Sequence, residues 1–149
     1  MKNATLNLRD LVILVADPSP YMCMLANSML RGFGANKAMD ARSSIDAIQI
    51  LTEQKIDILL CDNLLPPHGG LKLTQAIRRN VNNPNRTVPI LIMTSDTRES
   101  TIKSARDAGA NASFLLCDPR WTMRRRDSEI IEGRVADDHQ GDNRSELTN

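Results

Sequence analysis

Short continuous apolar runs alternate along this chain with segments whose apolar residues recur at helical spacing. The runs are rich in Val, Ile and Leu, as strands buried on both faces of a sheet are. The segments between them place apolar residues three or four positions apart and are bounded by Ser, Pro or Gly, which is typical of amphipathic helices. We predict strands at 11–16, 37–40, 56–61, 88–94 and 112–117, and helices that begin at Ser19 or Pro20, follow an N-cap at Ser44, span 71–77 and span 99–108.

The alternation of strands and helices predicts a doubly wound α/β domain. Strand–helix–strand units with right-handed crossovers build a five-stranded parallel sheet with helices on its faces. Such a sheet would take one more helix after its last strand, but the regular pattern stops at Pro119. We therefore expect a domain over residues 1–119 that lacks the usual last helix, an arginine-rich segment over 120–134 and a disordered tail over 135–149.

Composition restricts the classes of function. The 149 residues suit one domain, and the net charge of +1 gives no reason to expect DNA binding or membrane attachment through charge alone. No apolar run approaches the ~18 residues of a membrane span and no signal-peptide pattern opens the chain, so we expect a cytoplasmic protein without membrane insertion. Cys23, Cys61 and Cys117 lie in apolar runs, which favours buried reduced thiols over disulfides or a metal site.

Polar side chains stand where three of the predicted strands end. Asp17 and Asp62 follow two of the apolar runs, and Thr94 closes a third. Because ligands of a doubly wound sheet bind outside the carboxyl ends of its strands, these side chains form a first candidate site. Three pieces of the sequence resemble the receiver domains of bacterial two-component systems, which have the CheY-like, flavodoxin-like fold: DILLCDNLLPPHGGL around Asp62, PILIMTS at 89–95 and AGA at 108–110.

The resemblance to receiver domains extends over about residues 9–119. It implies that Asp62 accepts a phosphoryl group from a histidine kinase and that Asp17 and Asp62 help to hold Mg²⁺. The chain departs from the receiver pattern because Ala16 replaces one acid and Asp118 stands where the family has Lys. Magnesium prefers several oxygen ligands, and phosphoryl transfer depends on neutralising charge. We therefore expect weak Mg²⁺ binding and favour an inherited Asp62 over a working phosphoacceptor, which stays the alternative.

Arginine is concentrated near the end of the chain. Fourteen of the 19 basic residues are Arg, and five of them lie in 120–134 beside Trp121, the one Trp of the chain. Arginine can donate two hydrogen bonds to guanine O6 and N7, and a carboxylate can accept from the guanine N1–H and amino edge. Guanidinium groups also neutralise phosphates and stack on bases. The R-x-x-D at 124–127 and the R-x-x-x-R at 120–124 resemble, in spacing, the motifs of cyclic di-GMP receptors.

A receiver body followed by this segment resembles the Cle group of CheY-like cyclic di-GMP effectors. The resemblance implies a response regulator that is not an enzyme, that binds its ligand as an intercalated dimer and that acts on the flagellar motor switch at the cell pole, tuning chemotaxis, motility and surface attachment. It implies that the ligand lies among Arg120, Trp121, Arg124, Arg125, Arg126, Asp127, Ser128 and Arg134. An RNA-binding adaptor that stacks unpaired bases on the Arg and Trp side chains stays open, as does a charged solvated tail.

Overall fold

Five strands alternate with four helices in the part of the chain that the computed structural model describes. That part is residues 7–96 and 98–115, with the backbone alone for Phe114 and Leu115. Every predicted element is present, although some bounds differ. In chain order the elements are β1 (Val12–Ala16), α1 (Pro20–Gly32), β2 (Lys37–Ala41), α2 (Ser44–Glu53), β3 (Ile58–Asp62), α3 (Gly70–Arg79), β4 (Ile90–Thr94), α4 (Glu99–Ala108) and β5 (Ala112–Leu115).

All five strands are parallel and form one sheet in the order β2-β1-β3-β4-β5. The predicted doubly wound sheet is therefore confirmed. The chain leaves β1 for one side and later adds β3 on the other side, and ligands of doubly wound sheets bind outside the carboxyl ends of the strands at such a change of direction. In register, Ala16 lies beside Cys61, and Asp62 lies beside Met93. The residues that end β1, β3 and β4 consequently meet at one edge of the sheet.

The four described helices are divided unequally between the two faces of the sheet. Because strand side chains alternate between faces, Ile13 and Val15 pack in one apolar cluster with α1, whereas Leu14 and Ala16 pack in another with α2, α3 and α4. Right-handed crossovers explain this division, since only the β1-to-β2 connection runs in the opposite direction along the sheet. Burial of these aliphatic side chains on both faces is the main force that holds the layers together.

Ser43, and not the predicted Ser44, caps α2. The Ser43 side chain accepts a hydrogen bond from the backbone N–H of Asp46 at 3.1 Å. Ser44 is the first helical residue, is fully buried and donates its N–H to the carbonyl of Pro66 at 2.7 Å. Two adjacent serines satisfy the same local rule, and the contact with Pro66, which is distant in sequence, decides between them.

Strands β3 and β4 begin later than their apolar runs. Ile56 lies outside the β3 ladder because its N–H is donated to the side chain of Asn85 at 2.8 Å. β4 begins at Ile90, directly after a proline that has no N–H, while the N–H of Val88 is donated to the carbonyl of Asn85 at 3.0 Å. Asn85 is fully buried in the predicted 80–87 loop, so this polar loop is an organised part of the fold.

The cysteines that the structure describes behave as predicted. Cys23 and Cys61 are buried and free of disulfides. Burial and, after it, the negative charges of Asp62 and Asp17 raise the pKa of Cys61 to about 12. Cys61 is therefore protonated at neutral pH, which disfavours a nucleophilic role because the thiolate is the nucleophile.

Several sequence predictions lie outside the described residues. They concern the third cysteine, Cys117, the residue Asp118, the lack of a fifth helix, the arginine-rich segment 120–134 and the tail 135–149. None of the described helices is long and apolar enough to cross a membrane.

Candidate functional site

Asp17, directly after β1, is held by the start of α1. Its carboxylate accepts the backbone N–H of Ser19 at 2.8 Å, and the Ser19 hydroxyl oxygen accepts the N–H of Met22 at 3.3 Å as the N-cap of α1. The backbone N–H of Asp17 is donated to the carbonyl of Ala41, at the end of β2, at 3.0 Å. Asp17 is only 3% exposed. The local turn thus starts a helix and fixes a buried carboxylate at the edge of the sheet.

Asp62 closes β3, the strand next to β1. Burial raises the pKa of Asp62, and the negative charge of Asp17 raises it further. Hydrogen bonds from the backbone N–H groups of Leu64 and Asn63 act in the opposite direction, because they favour the ionised carboxylate. The two aspartates therefore concentrate negative charge at one point of the edge, where a cation would be stabilised.

Thr94, at the end of β4, is linked to the start of α4 through Asp96. The Thr94 hydroxyl oxygen accepts the backbone N–H of Asp96 at 3.0 Å. The Asp96 carboxylate accepts hydrogen bonds from the backbone N–H of Arg98 at 2.9 Å, from its guanidinium and from the Thr101 hydroxyl at 2.8 Å. These bonds, those of the Arg98 side chain foremost, hold the pKa of Asp96 well below its usual range. The strand end and the first turn of the helix are consequently one connected unit.

An open cavity of about 480 Å³ joins the ends of β3 and β4. Asp62 and Thr94 line it together with Asp96 and Arg98, so the end of β3 and the first turn of α4 face the same space. Among the described residues that line the cavity, Arg98 is the only cation. Asn63 and a set of Ser and Thr hydroxyls supply most of the remaining polar lining. The cavity therefore places hydrogen-bond donors and one positive charge beside Asp62.

Gly70, the first residue of α3, brings this helix against the end of β3. A Cβ atom at Gly70 would lie 2.6 Å from the backbone oxygen of Asp62 and 3.2 Å from Sγ of Cys61. The Gly70 N–H is donated to the carbonyl of Asn63 at 3.0 Å. This position accepts glycine because no side chain fits there, and α3 thereby supports the backbone that positions Asp62.

Comparison with known proteins assigns the family. The family model for the response regulator receiver domain matches residues 13–115, which contain the site described above. The chain therefore belongs to the response regulator receiver family, and its sheet and four helices are the CheY-like, flavodoxin-like fold of receiver domains.

Two curated relatives and one solved structure show how far the similarity extends. The chain is 35% identical over 98 residues to the transcriptional regulatory protein ZraR of Salmonella typhimurium. The matched region covers 66% of this chain and 21% of ZraR. It is 25% identical over 124 residues to the chemotaxis protein CheY-3 of Vibrio cholerae. This matched region covers 83% of the chain and 94% of CheY-3. The receiver domain of sensor histidine kinase PA1611 from Pseudomonas aeruginosa, solved with a magnesium ion in its active site cleft, matches with a TM-score of 0.70 at 25% identity and covers 83% of this chain and 99% of that domain. The chain spans about a fifth of the length of ZraR, the longer of these two curated relatives.

The residues present suit a weak magnesium site. Magnesium is commonly held by one or two carboxylates, with water and phosphate oxygens completing its shell, and Asp17 and Asp62 offer such a pair. Ala16, the residue before Asp17, adds no ligand, and the described residues contain no group of three or more His, Cys, Asp or Glu that could hold a metal ion. A bound ion would supply positive charge against a phosphoryl group on Asp62.

The structure brings together the residues predicted at the strand ends. Asp62 and Thr94 line one cavity, and Asp17 acts on Asp62 through its charge. Their roles in phosphoryl transfer stay predictions. The residues predicted to contact cyclic di-GMP all lie outside the described part of the chain: Arg120, Trp121, Arg124, Arg125, Arg126, Asp127, Ser128 and Arg134.

Sequence reasoning does not identify Asp96, Arg98 or Thr101 as part of this site. Asp17, Asp62 and Thr94 close their strands or directly follow them, whereas Arg98 comes four positions after β4. The one local signal is a carboxylate shortly before a predicted helix, which is typical of a helix N-terminus. Such a signal predicts a cap, and the shared cavity with Asp62 is visible only in the fold.

Proposed function

We propose that this receiver domain is a non-catalytic effector that binds cyclic di-GMP through residues 120–134. The observation that supports the proposal is the composition of this segment, where five Arg and the one Trp surround an R-x-x-D motif. The segment directly follows a receiver domain whose acidic edge has Ala16 in place of a carboxylate. A chain with weakened phosphate chemistry and a guanine-compatible segment is expected to take its signal from the nucleotide.

The proposed contacts follow from the chemistry of guanine. Arg124 donates two hydrogen bonds to O6 and N7 of one base, and Asp127 accepts from its N1–H and amino group. Trp121 offers a flat apolar face for stacking. The other predicted contacts, which carry charge or a hydroxyl group, face the phosphates or stack on the bases: Arg120, Arg125, Arg126, Ser128 and Arg134.

The ligand is proposed to control a protein-binding face of the receiver body. Binding at 120–134 would select one arrangement of that segment and increase the population of the state that binds the partner. The resemblance to the Cle group makes the flagellar motor switch the partner to test first. An output there would tune motility and surface attachment.

Isothermal titration calorimetry with cyclic di-GMP tests the ligand assignment. We expect the full chain to bind cyclic di-GMP and neither GTP nor cyclic AMP. Arg124→Ala and Asp127→Ala should each weaken binding about 10- to 100-fold, because each removes contacts to a base edge. Arg144→Ala, which removes an Arg outside the segment, is the matched control and should bind as the parent does.

Two outcomes would contradict the cyclic di-GMP proposal. Equal binding of GTP would remove the specificity for the dinucleotide, and unchanged affinity in the Asp127→Ala variant would remove the guanine-edge contact. Tight binding of single-stranded RNA of any sequence, weakening steeply with salt, would favour the RNA adaptor instead.

A second candidate function is phosphoryl acceptance at Asp62. The observation that favours it is the cavity, which places Asp62 and Thr94 on one space, with the carboxylate of Asp17 alongside. An ionised aspartate is a known type of phosphoryl acceptor. The donor would be a histidine kinase, as the family implies.

Incubation with acetyl phosphate and Mg²⁺, followed by intact-protein mass spectrometry, tests this second function. Addition of one phosphoryl group to the parent chain, and none to Asp62→Asn, is the expected result. Labelling that persists in Asp62→Asn would place the acceptor elsewhere, and a parent chain that takes no label would exclude the second function.

A further inference from the structure

We propose that Arg98 supplies the positive charge that faces a phosphoryl group on Asp62. The inference rests on the second candidate function, since it concerns the state in which Asp62 carries an anion. It adds the N-cap residue of α4 to a site that the strand ends alone do not complete.

The cavity lacks any other source of positive charge among its described lining residues. A phosphoryl group on Asp62 would carry about two negative charges in place of the single charge of the carboxylate, at an edge where Asp62 and Asp17 already repel each other. Phosphoryl transfer is largely a matter of positioning and of neutralising such charge. Arg98 lines the same cavity as Asp62 and is the one cation that does so within the described chain. A planar guanidinium also matches two phosphoryl oxygens with two parallel donors.

Arg98 can change partners without disturbing the helix that carries it. Its side chain is 77% exposed and pairs with Asp96, whose side chain is 26% exposed. Exposed ion pairs contribute little to stability, because water and salt compete with the contact. The backbone carbonyl of Arg98 accepts the N–H groups of Thr101 and Ile102, which keeps the start of α4 in place while the guanidinium moves.

Asp96 is the competitor that the phosphoryl group must displace. In the present arrangement its carboxylate holds the Arg98 guanidinium, and both residues line the cavity. After Arg98 leaves, Asp96 still accepts the Thr101 hydroxyl at 2.8 Å and the backbone N–H of Arg98 at 2.9 Å. A phosphoryl group carries more charge than the Asp96 carboxylate, so the exchange is favourable once Asp62 is phosphorylated.

The covalent step is a simple transfer. A carboxylate oxygen of Asp62 forms a bond to the phosphorus of acetyl phosphate, the bond from phosphorus to the acetate oxygen breaks, and acetate leaves with the electron pair. The product is an aspartyl phosphate whose three terminal oxygens face the cavity lining. Arg98 takes no proton and forms no covalent bond; it stabilises the transferred charge.

The test compares initial rates of labelling by acetyl phosphate in the presence of Mg²⁺, followed by intact-protein mass. Arg98→Ala should slow labelling at least about tenfold, and Arg98→Lys should recover part of the rate because it restores the charge without the fork. Arg106→Ala removes an Arg from the last turn of the same helix and should label at the parent rate. Thermal unfolding of each variant checks that it is folded.

Asp96→Asn separates charge supply from a merely structural role. If Arg98 faces the phosphoryl group, Asp96→Asn should label faster than the parent, because the carboxylate that competes for Arg98 is gone. If the Asp96–Arg98 pair only organises the loop, Asp96→Asn and Arg98→Ala should slow labelling equally, and that result would overturn the proposal.

The remaining outcomes distinguish this inference from the function on which it rests. A parent chain that takes no label overturns the second candidate function and the inference with it. A parent chain that labels at Asp62, with Arg98→Ala as fast as Arg106→Ala, keeps the function and overturns the role of Arg98 alone.

Discussion

Three carboxylates near the carboxyl edge of the sheet are each held in a different way. Asp17 is buried and bound by the N-terminus of α1. Asp62 is half-buried beside it, so burial and like charge raise its pKa. Asp96 is held by Arg98 and Thr101, whose hydrogen bonds lower its pKa. The three aspartates thus differ in their surroundings, and the surroundings of a carboxylate determine how favourable its ionised form is.

Titration of Asp96 tests the link between the strand end and α4. Because the pKa of Asp96 is lowered mainly by hydrogen bonds from the Arg98 side chain, its carboxyl signal in NMR should titrate far below the usual Asp value of ~3.9. The pair then contributes stability above the unfolded pKa, and this contribution is lost as the pH falls through the folded pKa.

The Arg98→Ala variant is the comparison for this titration. Removal of the guanidinium should move the midpoint of Asp96 upward toward the usual value. A midpoint of Asp96 that is the same in both proteins would mean that the side chain of Arg98 does not hold it.

At the scale of elements, α3 is fitted to the end of β3 by one glycine. A Cβ at Gly70 would meet the backbone of Asp62 at 2.6 Å, and backbone atoms cannot move aside as a flexible side chain can. Gly70→Ala should therefore lower the free energy of unfolding by about 1–3 kcal/mol. Urea denaturation measures this change in the free energy of unfolding. Gly32→Ala is the matched control, because a Cβ at Gly32 meets nothing within 4 Å, and this variant should be as stable as the parent or slightly more stable.

Arg78 joins α3 to the loops that precede β4 and β5, at the opposite edge of the sheet from the site. Its guanidinium donates to the carbonyl groups of Gly109 at 3.1 Å, Arg86 at 2.7 Å and Val88 at 2.7 Å, and to the side chain of Asn111 at 3.0 Å. Four acceptors in one fork suit arginine and no other side chain.

Arg78→Lys should consequently lower the free energy of unfolding by about 1–3 kcal/mol, since half-buried carbonyl groups would lose their donors. Arg79→Lys changes the exposed neighbour in the same way and should have little effect on the urea midpoint. Equal stability of the two variants would show that the hydrogen bonds of Arg78 are replaced by water at no cost.

At the scale of the whole molecule, the proposals predict two sites that act independently. Asp62→Asn should leave the affinity for cyclic di-GMP unchanged within about twofold, because Asp62 is not among the residues proposed to contact the dinucleotide and independent sites behave additively. Arg124→Ala should likewise leave acetyl phosphate labelling at the parent rate. A large loss of cyclic di-GMP affinity in Asp62→Asn, measured by calorimetry, would show that the acidic edge and the arginine-rich segment are coupled.

Sequence periodicity predicts the architecture of this chain well, because element type depends mainly on local apolar spacing and on Ser, Pro and Gly at the ends of elements. It predicts bounds less well. The cap at Ser43 and the late start of β3 depend on hydrogen bonds to Pro66 and Asn85, which lie far from these positions in the sequence.

The residues of the candidate site were likewise predictable only in part. Asp17, Asp62 and Thr94 could be predicted because strand ends of a parallel sheet share an edge.

The sequence by itself determined the alternation of strands and helices, the receiver-like strand ends and the arginine-rich composition after Pro119, since each is a local pattern of residue types. Only the tertiary structure decided that Arg98 shares a cavity with Asp62 and that Gly70 must lie against the end of β3. Those contacts join residues on different elements, and their proximity follows from the packing of helices on the sheet. Periodicity along one segment carries no information about that packing.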